Sequence, residues 1–339
     1  MTMGIKNSQS AIEQKKRKRT TLTYIVGVCF LFISIYLNLA IGSSKIQFHD
    51  ILSYFTGHIE SEQTFLIHNV RMPRMLAGLV IGGALGIAGL LMQAITRNPL
   101  ASPQIFGVNA GASFVIVLIP SLGSYSTILA IIGAFFGGFT VYTLSGSTKS
   151  ITPVKLALAG MAIHLFFSSM TQGIILLNED SNDTVMFWLV GSLAGIKWNQ
   201  IMMILPCIVI AVIVTVFMGR QLTIMELGDD IARSLGQRTE IVRMIIGILV
   251  IVLAGMSVSI AGPIGFVGLI VPHIVKRYVS KNYLVMLPLT FIFGADLLLI
   301  SDVLCRLITY PFESPVGIVT SFVGAFYFLF ITVRGVNRV

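Results

Sequence analysis

Residues Arg71 to Gln93 read RMPRMLAGLVIGGALGIAGLLMQ. After its arginines and proline the stretch is free of charge and long enough to match ~30 Å of hydrocarbon, so it reads as a membrane-crossing helix. Gly78, Gly82 and Gly86 recur every four residues on one face. Small residues at that spacing let a second helix backbone approach, within the chain or across a subunit interface. Gly133 and Gly137 repeat the pattern further on. Arg71 and Arg74 sit at the mouth of the run, either as anchors in the headgroup layer or as a socket for something acidic.

The whole chain shares this character. Of its 339 residues 55% are hydrophobic and 11% charged, against about 25% charged in a soluble domain. This is the composition of a polytopic membrane protein. The net charge of +9 therefore reports loops on the cytoplasmic side rather than a nucleic-acid partner. The run KKRKR, Lys15 to Arg19, closes a basic cytoplasmic tail over residues 1–21. The apolar run 22–41 that follows exceeds a signal h-region and lacks a small-x-small cleavage site, so it reads as the first span. Residues 22–339 then form one ten-helix domain. Cys29, Cys207 and Cys305 are isolated, which supports neither a disulfide framework nor a metal site.

Apolar runs bounded by charge, Pro and Gly give spans at 22–41, 74–95, 107–122, 126–145, 155–177, 199–218, 241–261, 264–275, 283–308 and 315–333, with a short interfacial helix at 185–195. All should be helical, because an open chain in lipid has no other way to pair its backbone. With the N-terminus inside, all but five of the 23 Lys and Arg fall on the cytoplasmic side. The five outside are Lys45, Arg71, Arg74, Lys197 and Arg306, and both termini are cytoplasmic. The third and eighth spans are short, and each follows a breaker: Asn98 to Pro103 before one, Gly262 to Gly265 before the other. Short, interrupted spans at matching places in two halves predict a 5+5 inverted repeat with a pathway between the halves.

The connection 219–243 contains ELGDDIARSLG, Glu226 to Gly236. It reads as a short helix bracketed by Gly228 and Gly236, with Asp229 and Asp230 in the first turn and Arg233 nearer the end, as the helix dipole prefers. Ile231 and Leu235, four apart, share a face. Such a helix fits a groove on a cytoplasmic partner or rests on lipid headgroups.

Six stretches now stand in order: RMPRMLAGLVIGGALGIAGLLMQ, TRNPLASPQIFGVNAGAS, ELGDDIARSLG, AGPIGFVGLIVPHIVKR, ADLLLISDVLCR and ESPVGIVTSFVGAFYFLF. Together they resemble the permease subunits of ATP-binding-cassette importers for iron–siderophore complexes, haem and vitamin B12, over most of the chain. The resemblance implies an all-α, ten-helix subunit of the type II importer permease fold, paired with a second permease, either a copy of itself or a related chain. It implies two ATPase subunits below and an extracytoplasmic substrate-binding lipoprotein above. By motif position, Arg71, Arg74 and Arg306 would receive acidic side chains of that binding protein. Leu227, Gly228, Asp229, Asp230, Ile231, Ala232, Arg233, Leu235 and Gly236 would form the coupling helix on the ATPase. The fifth and tenth spans would line the passage, with Ser150 and Thr152 near a cytoplasmic gate; Pro153 departs from the family pattern there. The ending PFESPVGIVTSFVGAFYF is most similar to ferric-hydroxamate permeases, with haem and then cobalamin as alternative cargoes.

No catalytic residue, cofactor or metal is expected. GSTKS, Gly146 to Ser150, lacks the adjacent Gly-Lys pair and the preceding strand of a phosphate loop, so ATP must bind another chain. His164 could face the passage or be buried, and His273 reads as structural. The acidic loop Asn178, Glu179, Asp180 and Asp183 reads as solvated. Asp302 and Arg306, four apart, suit a local ion pair. Asp296 is the one deep acid that an ion-driven secondary transporter, the different-class alternative, could use.

Overall fold

The computed structural model describes the backbone of residues 2–336 except 43, 45, 57–60, 120–124, 147–152, 178–181, 280–281 and 311. Each predicted span contains a helix among the described residues. In chain order the helices are α1 (Thr2–Ala40), α2 (Phe48–Phe55), α3 (Glu62–Leu66), α4 (Met72–Thr96), α5 (Val108–Leu118), α6 (Ser126–Leu144), α7 (Pro153–Leu177) and α8 (Asn182–Val190). The second half holds α9 (Trp198–Phe217), α10 (Gly219–Met225), α11 (Asp229–Ser234), α12 (Thr239–Ala261), α13 (Val267–Tyr278), α14 (Tyr283–Ile308) and α15 (Val316–Val336). Seven helices among the described residues are long and apolar enough to cross a membrane. The short α5 and α13 are the third and eighth spans.

The RMPR stretch is not the start of its helix. The chain is already helical from Glu62 and passes through a π-turn, Ile67–Arg71, into α4. Pro73 explains the turn. A proline ring clashes with the carbonyl four residues back and offers no N–H; the wider π-turn, closed by Met72 N–H to Ile67 O, admits the ring without ending the helix. The interfacial helix also differs from expectation, ending at Val190 rather than 195. Gly191 turns into the left-handed region (φ 83°) and Ser192 N–H goes to the Ala261 carbonyl at 2.8 Å.

The packing obeys the inverted repeat. Matching α1, α4, α5, α6 and α7 with α9, α12, α13, α14 and α15 turns most main contacts outside α1 and α9 into others that are also present. Thus α4–α14 corresponds to α12–α6, α5–α6 to α13–α14, α4–α13 to α12–α5, α5–α7 to α13–α15 and α6–α7 to α14–α15, while α4–α12 maps onto itself. The residue before each short helix takes the same left-handed backbone: Gly107 (φ 66°) before α5 and Phe266 (φ 65°) before α13. One departure matters for the site. α1 leans mainly on α14, whereas its counterpart α9 leans on α12 and α4.

Both glycine patterns pack within the chain. Gly78, Gly82 and Gly86 face Leu299, Gly294 and Thr290 of α14; Gly133 and Gly137 face Gly111 and Gly107. α4 is buried along almost its whole length, its interior residues joining one core with α12, α13 and α14.

A methyl group at Gly89 would land on the Gly268 backbone, whereas one at Gly173 meets nothing within 4 Å. Gly89→Ala should therefore lower the thermal unfolding midpoint of the purified protein, costing about 3 kcal/mol, the upper end for overpacking. Gly173→Ala should be neutral or stabilise by about 0.5–1 kcal/mol. Equal midpoints for the two variants would contradict the close α4–α13 approach.

Candidate functional site

Two polar clusters stand at opposite ends of α4. At its first turn Arg74 is 5% exposed and lies against Asp302 of α14, which is fully buried. Arg74 Nε donates to both carboxylate oxygens at 3.1 Å and Nη2 to Oδ1 at 2.9 Å. This is the fork geometry that makes Arg–carboxylate pairs strong and directional. Asp302 also accepts from Arg306 Nη2 at 2.8 Å, the ion pair expected from the four-residue spacing, and from Asn38 Nδ2 of α1 at 3.0 Å. Arg74 Nη1 turns the other way, to Glu313 at 2.9 Å.

Arg306 and Arg71 have a second task. The last carbonyls of a helix have no partners of their own and carry its negative dipole end. At the C-terminus of α1, Arg306 Nη1 donates to the carbonyls of Asn38 (3.0 Å) and Ile41 (2.6 Å), and Arg71 Nη1 to that of Leu39 (3.0 Å). Arg71 Nη2 reaches Ser44 O at 2.6 Å. The three arginines expected to receive acids are thus brought together, but each is at most 6% exposed and satisfied within the chain. The exposed member of the cluster is Glu313, whose side chain is 52% accessible. Sequence reading passed over Glu313; its one signal is a lone acid in the turn before α15.

At the far end, Asp229 is the hub. Its carboxylate accepts from Arg243 Nη2 of α12 at 2.7 and 2.8 Å and from Arg97, which closes α4 in a left-handed turn (φ 50°). Arg233 pairs with Glu240 at 2.8 Å. Gly236 (φ 80°) ends α11: its N–H goes to Arg233 O and that of Gln237 to Ala232 O, both at 2.9 Å, the two bonds of a Schellman cap. Ala232 is fully buried, while Leu227, Ile231 and Leu235 are 58%, 49% and 62% exposed. Asp230 is exposed too. The result is a short helix fixed to α4 and α12, with Ile231 and the flanking Leu227 and Leu235 turned out.

α7 and α15 carry exposed apolar faces, including Met161, Leu165 and Met170 on one and Phe322, Phe326 and Leu329 on the other. Ser150 and Thr152, the expected gate residues, lie outside the described residues, as does the loop 178–181. His164 is exposed on α7. His273 meets Tyr327 edge-on, ring centroids 6.0 Å apart. Asp296 is 2% exposed and accepts from Ser34 at 3.2 Å. No group of His, Cys, Asp or Glu able to hold a metal ion occurs among the described residues.

A helical membrane bundle with inverted halves and a clamped, apolar-faced helix at one end has the architecture of a transport permease. Comparison with known proteins gives the family. A model of the FecCD transport family matches residues 30–334, and the chain belongs to that family, the permeases of siderophore-type ABC importers. It is 44% identical to the Fe(3+)-citrate import system permease protein YfmD of Bacillus subtilis, over 95% of this chain and 98% of that one. It is 34% identical to the iron(3+)-hydroxamate import system permease protein FhuB of the same organism, over 97% and 88%. A solved chain of an inward-facing, metal-chelate type ABC transporter superposes with a TM-score of 0.80 at 26% identity, covering 93% of this chain and 99% of that one.

Asp302→Asn should leave two buried guanidiniums without their common acid, a loss of about 3–5 kcal/mol for a broken buried pair. The expected outcome is a sharply lower unfolding midpoint in detergent. A wild-type midpoint would show that the cluster does not hold the fold.

Proposed function

We propose that this chain is the membrane-spanning subunit of a ferric-chelate importer of the cell membrane, without catalytic residues of its own. The observation that carries the reading is α11, clamped by Asp229 to Arg97 and Arg243 yet turning Leu227, Ile231 and Leu235 to the outside. Exposed apolar side chains on a rigidly held helix suit a groove in a partner. On this reading the Asp229 end is cytoplasmic and α11 seats on one of the importer's two ATPase subunits. The 1–21 segment and both termini lie on the same side, which agrees with the loop charges. A second permease faces α7 and α15, and cargo passes between the two. Ser150 and Thr152 keep the gate role that the family resemblance gives them.

The opposite end receives an extracytoplasmic binding lipoprotein through Arg71, Arg74 and Arg306. Because the three guanidiniums are buried, their contribution is a positive field and one reachable edge rather than three free side chains. For cargo, the 44% identity to an Fe(3+)-citrate permease puts ferric citrate ahead of the ferric hydroxamate that the closing stretch Pro311 to Phe328 suggested, with haem and cobalamin behind.

Uptake of iron-labelled citrate and hydroxamate, in cells with and without the gene, tests the cargo. Loss of citrate uptake alone supports the first choice, and loss of hydroxamate uptake alone restores the second. Loss of neither rejects both. Ile231→Asp with Leu235→Asp should abolish co-purification of the ATPase without lowering the unfolding midpoint, since both side chains are exposed. Retained co-purification would remove the coupling role from α11.

A further inference from the structure

The arginine cluster is asymmetric in a way that docking alone does not require. Of the two acids that Arg74 binds, Asp302 is buried and shared with Arg306 and Asn38, whereas Glu313 is half exposed and bonded to Arg74 through one nitrogen. The first pair cannot open without stranding buried charge. The second joins a buried guanidinium to a half-exposed carboxylate, so water reaches the acid's side of the pair and replaces it at lower cost than inside the bundle. Glu313 acts electrostatically on all three arginines. With it in place, three guanidiniums face two carboxylates; with it swung aside, they face one. The side chain thus controls both the reachable edge of Arg74 and the field at that end of the protein.

Its position in the chain adds a consequence. Glu313 stands three residues before Val316, where α15 begins. The turn that carries it is held to the end of α14 by Phe312 N–H to Thr309 O at 2.8 Å and by Thr309 Oγ1 to Phe312 O at 3.0 Å.

We propose that Glu313 is an exchangeable counter-ion, which holds the outward edge of Arg74 in the undocked permease and yields it to a carboxylate of the docking protein. This rests on the docking role proposed above for the arginines and adds a competitor built into the chain. The exchange breaks one charge-assisted hydrogen bond and forms another of the same kind, so the number of ion pairs on Arg74 is unchanged. What changes is the attachment of the turn that leads into α15, which is released from α4.

The test uses the full transporter, purified with its own binding protein and returned to nanodiscs. Glu313→Gln keeps the shape and removes the charge. It should tighten binding-protein affinity about two- to fivefold, the size of an exposed ion pair, mainly through a faster on-rate that disappears at high salt. Unchanged or weaker binding overturns the exchange. Arg71→Gln in the same assay reads the docking proposal itself, because Arg71 pairs with carbonyls and its loss strands no acid. If Arg71→Gln weakens binding while Glu313→Gln does nothing, only the exchange is wrong. If neither matters, docking through these arginines is wrong as well. A readout independent of the binding protein is phenylglyoxal modification of Arg74, mapped by mass spectrometry. Glu313→Ala should raise it several-fold in the permease, and an unchanged rate would show that Glu313 does not guard that edge.

Discussion

Asp302 is the constraint on which this end of the bundle depends. A carboxylate with no exposure survives only where its lone pairs are filled by donors, and here three different segments fill them: Arg74 of α4, Arg306 of α14 itself and Asn38 of α1. The same guanidinium of Arg306 then crosses to the open end of α1 and, with Arg71, occupies its last carbonyls. One acid thereby fixes the end of α1, the start of α4 and the last turns of α14 relative to each other. Gly78, Gly82 and Gly86 bring α4 and α14 close together, and the charges tie them directionally.

This also accounts for the break in symmetry between the halves. The inverted repeat lets α4–α14 and α12–α6 pack alike, but the acid has no counterpart in the first half. The residues that bind it are therefore drawn to one side only, and α1 follows them onto α14. Its counterpart α9 has no such tie and settles on α12 and α4.

Much of the fold was legible from sequence because lipid reduces the choices. Once a run such as Tyr283 to Ile308 is known to be apolar and long, helix is the only available form. The breakers before Val108 and Val267 told where the short spans lie, and the pair Asp302–Arg306 followed from spacing. Three features were hidden. The π-turn before Pro73 arises from how a continuous helix absorbs a proline, and a proline in sequence signals an end as readily as a kink. Apart from the Asp302–Arg306 pair, the burial of Arg71, Arg74 and Arg306 depends on partners 27 to 268 positions away, which no local pattern reveals. Arg97 and Arg243 looked like ordinary loop charges, and their convergence on Asp229 exists only in three dimensions. The exposed face of α11, by contrast, was readable from Ile231 and Leu235 alone.

α4 carries one cluster at each end. Arg74 and Arg97 are separated by about 35 Å of helix at 1.5 Å per residue, and between them the helix is buried against α12, α13 and α14. It is a strut whose two ends are both ionically bound, one to Asp302 and Glu313, the other to Asp229. A tilt of about 5° around its midpoint moves each end by about 1.5 Å. Directed along the Arg74–Glu313 bond, whose length is 2.9 Å, that displacement carries the pair beyond bonding range. The weaker attachment at one end is thus mechanically the most sensitive reporter of a small rotation driven from the other.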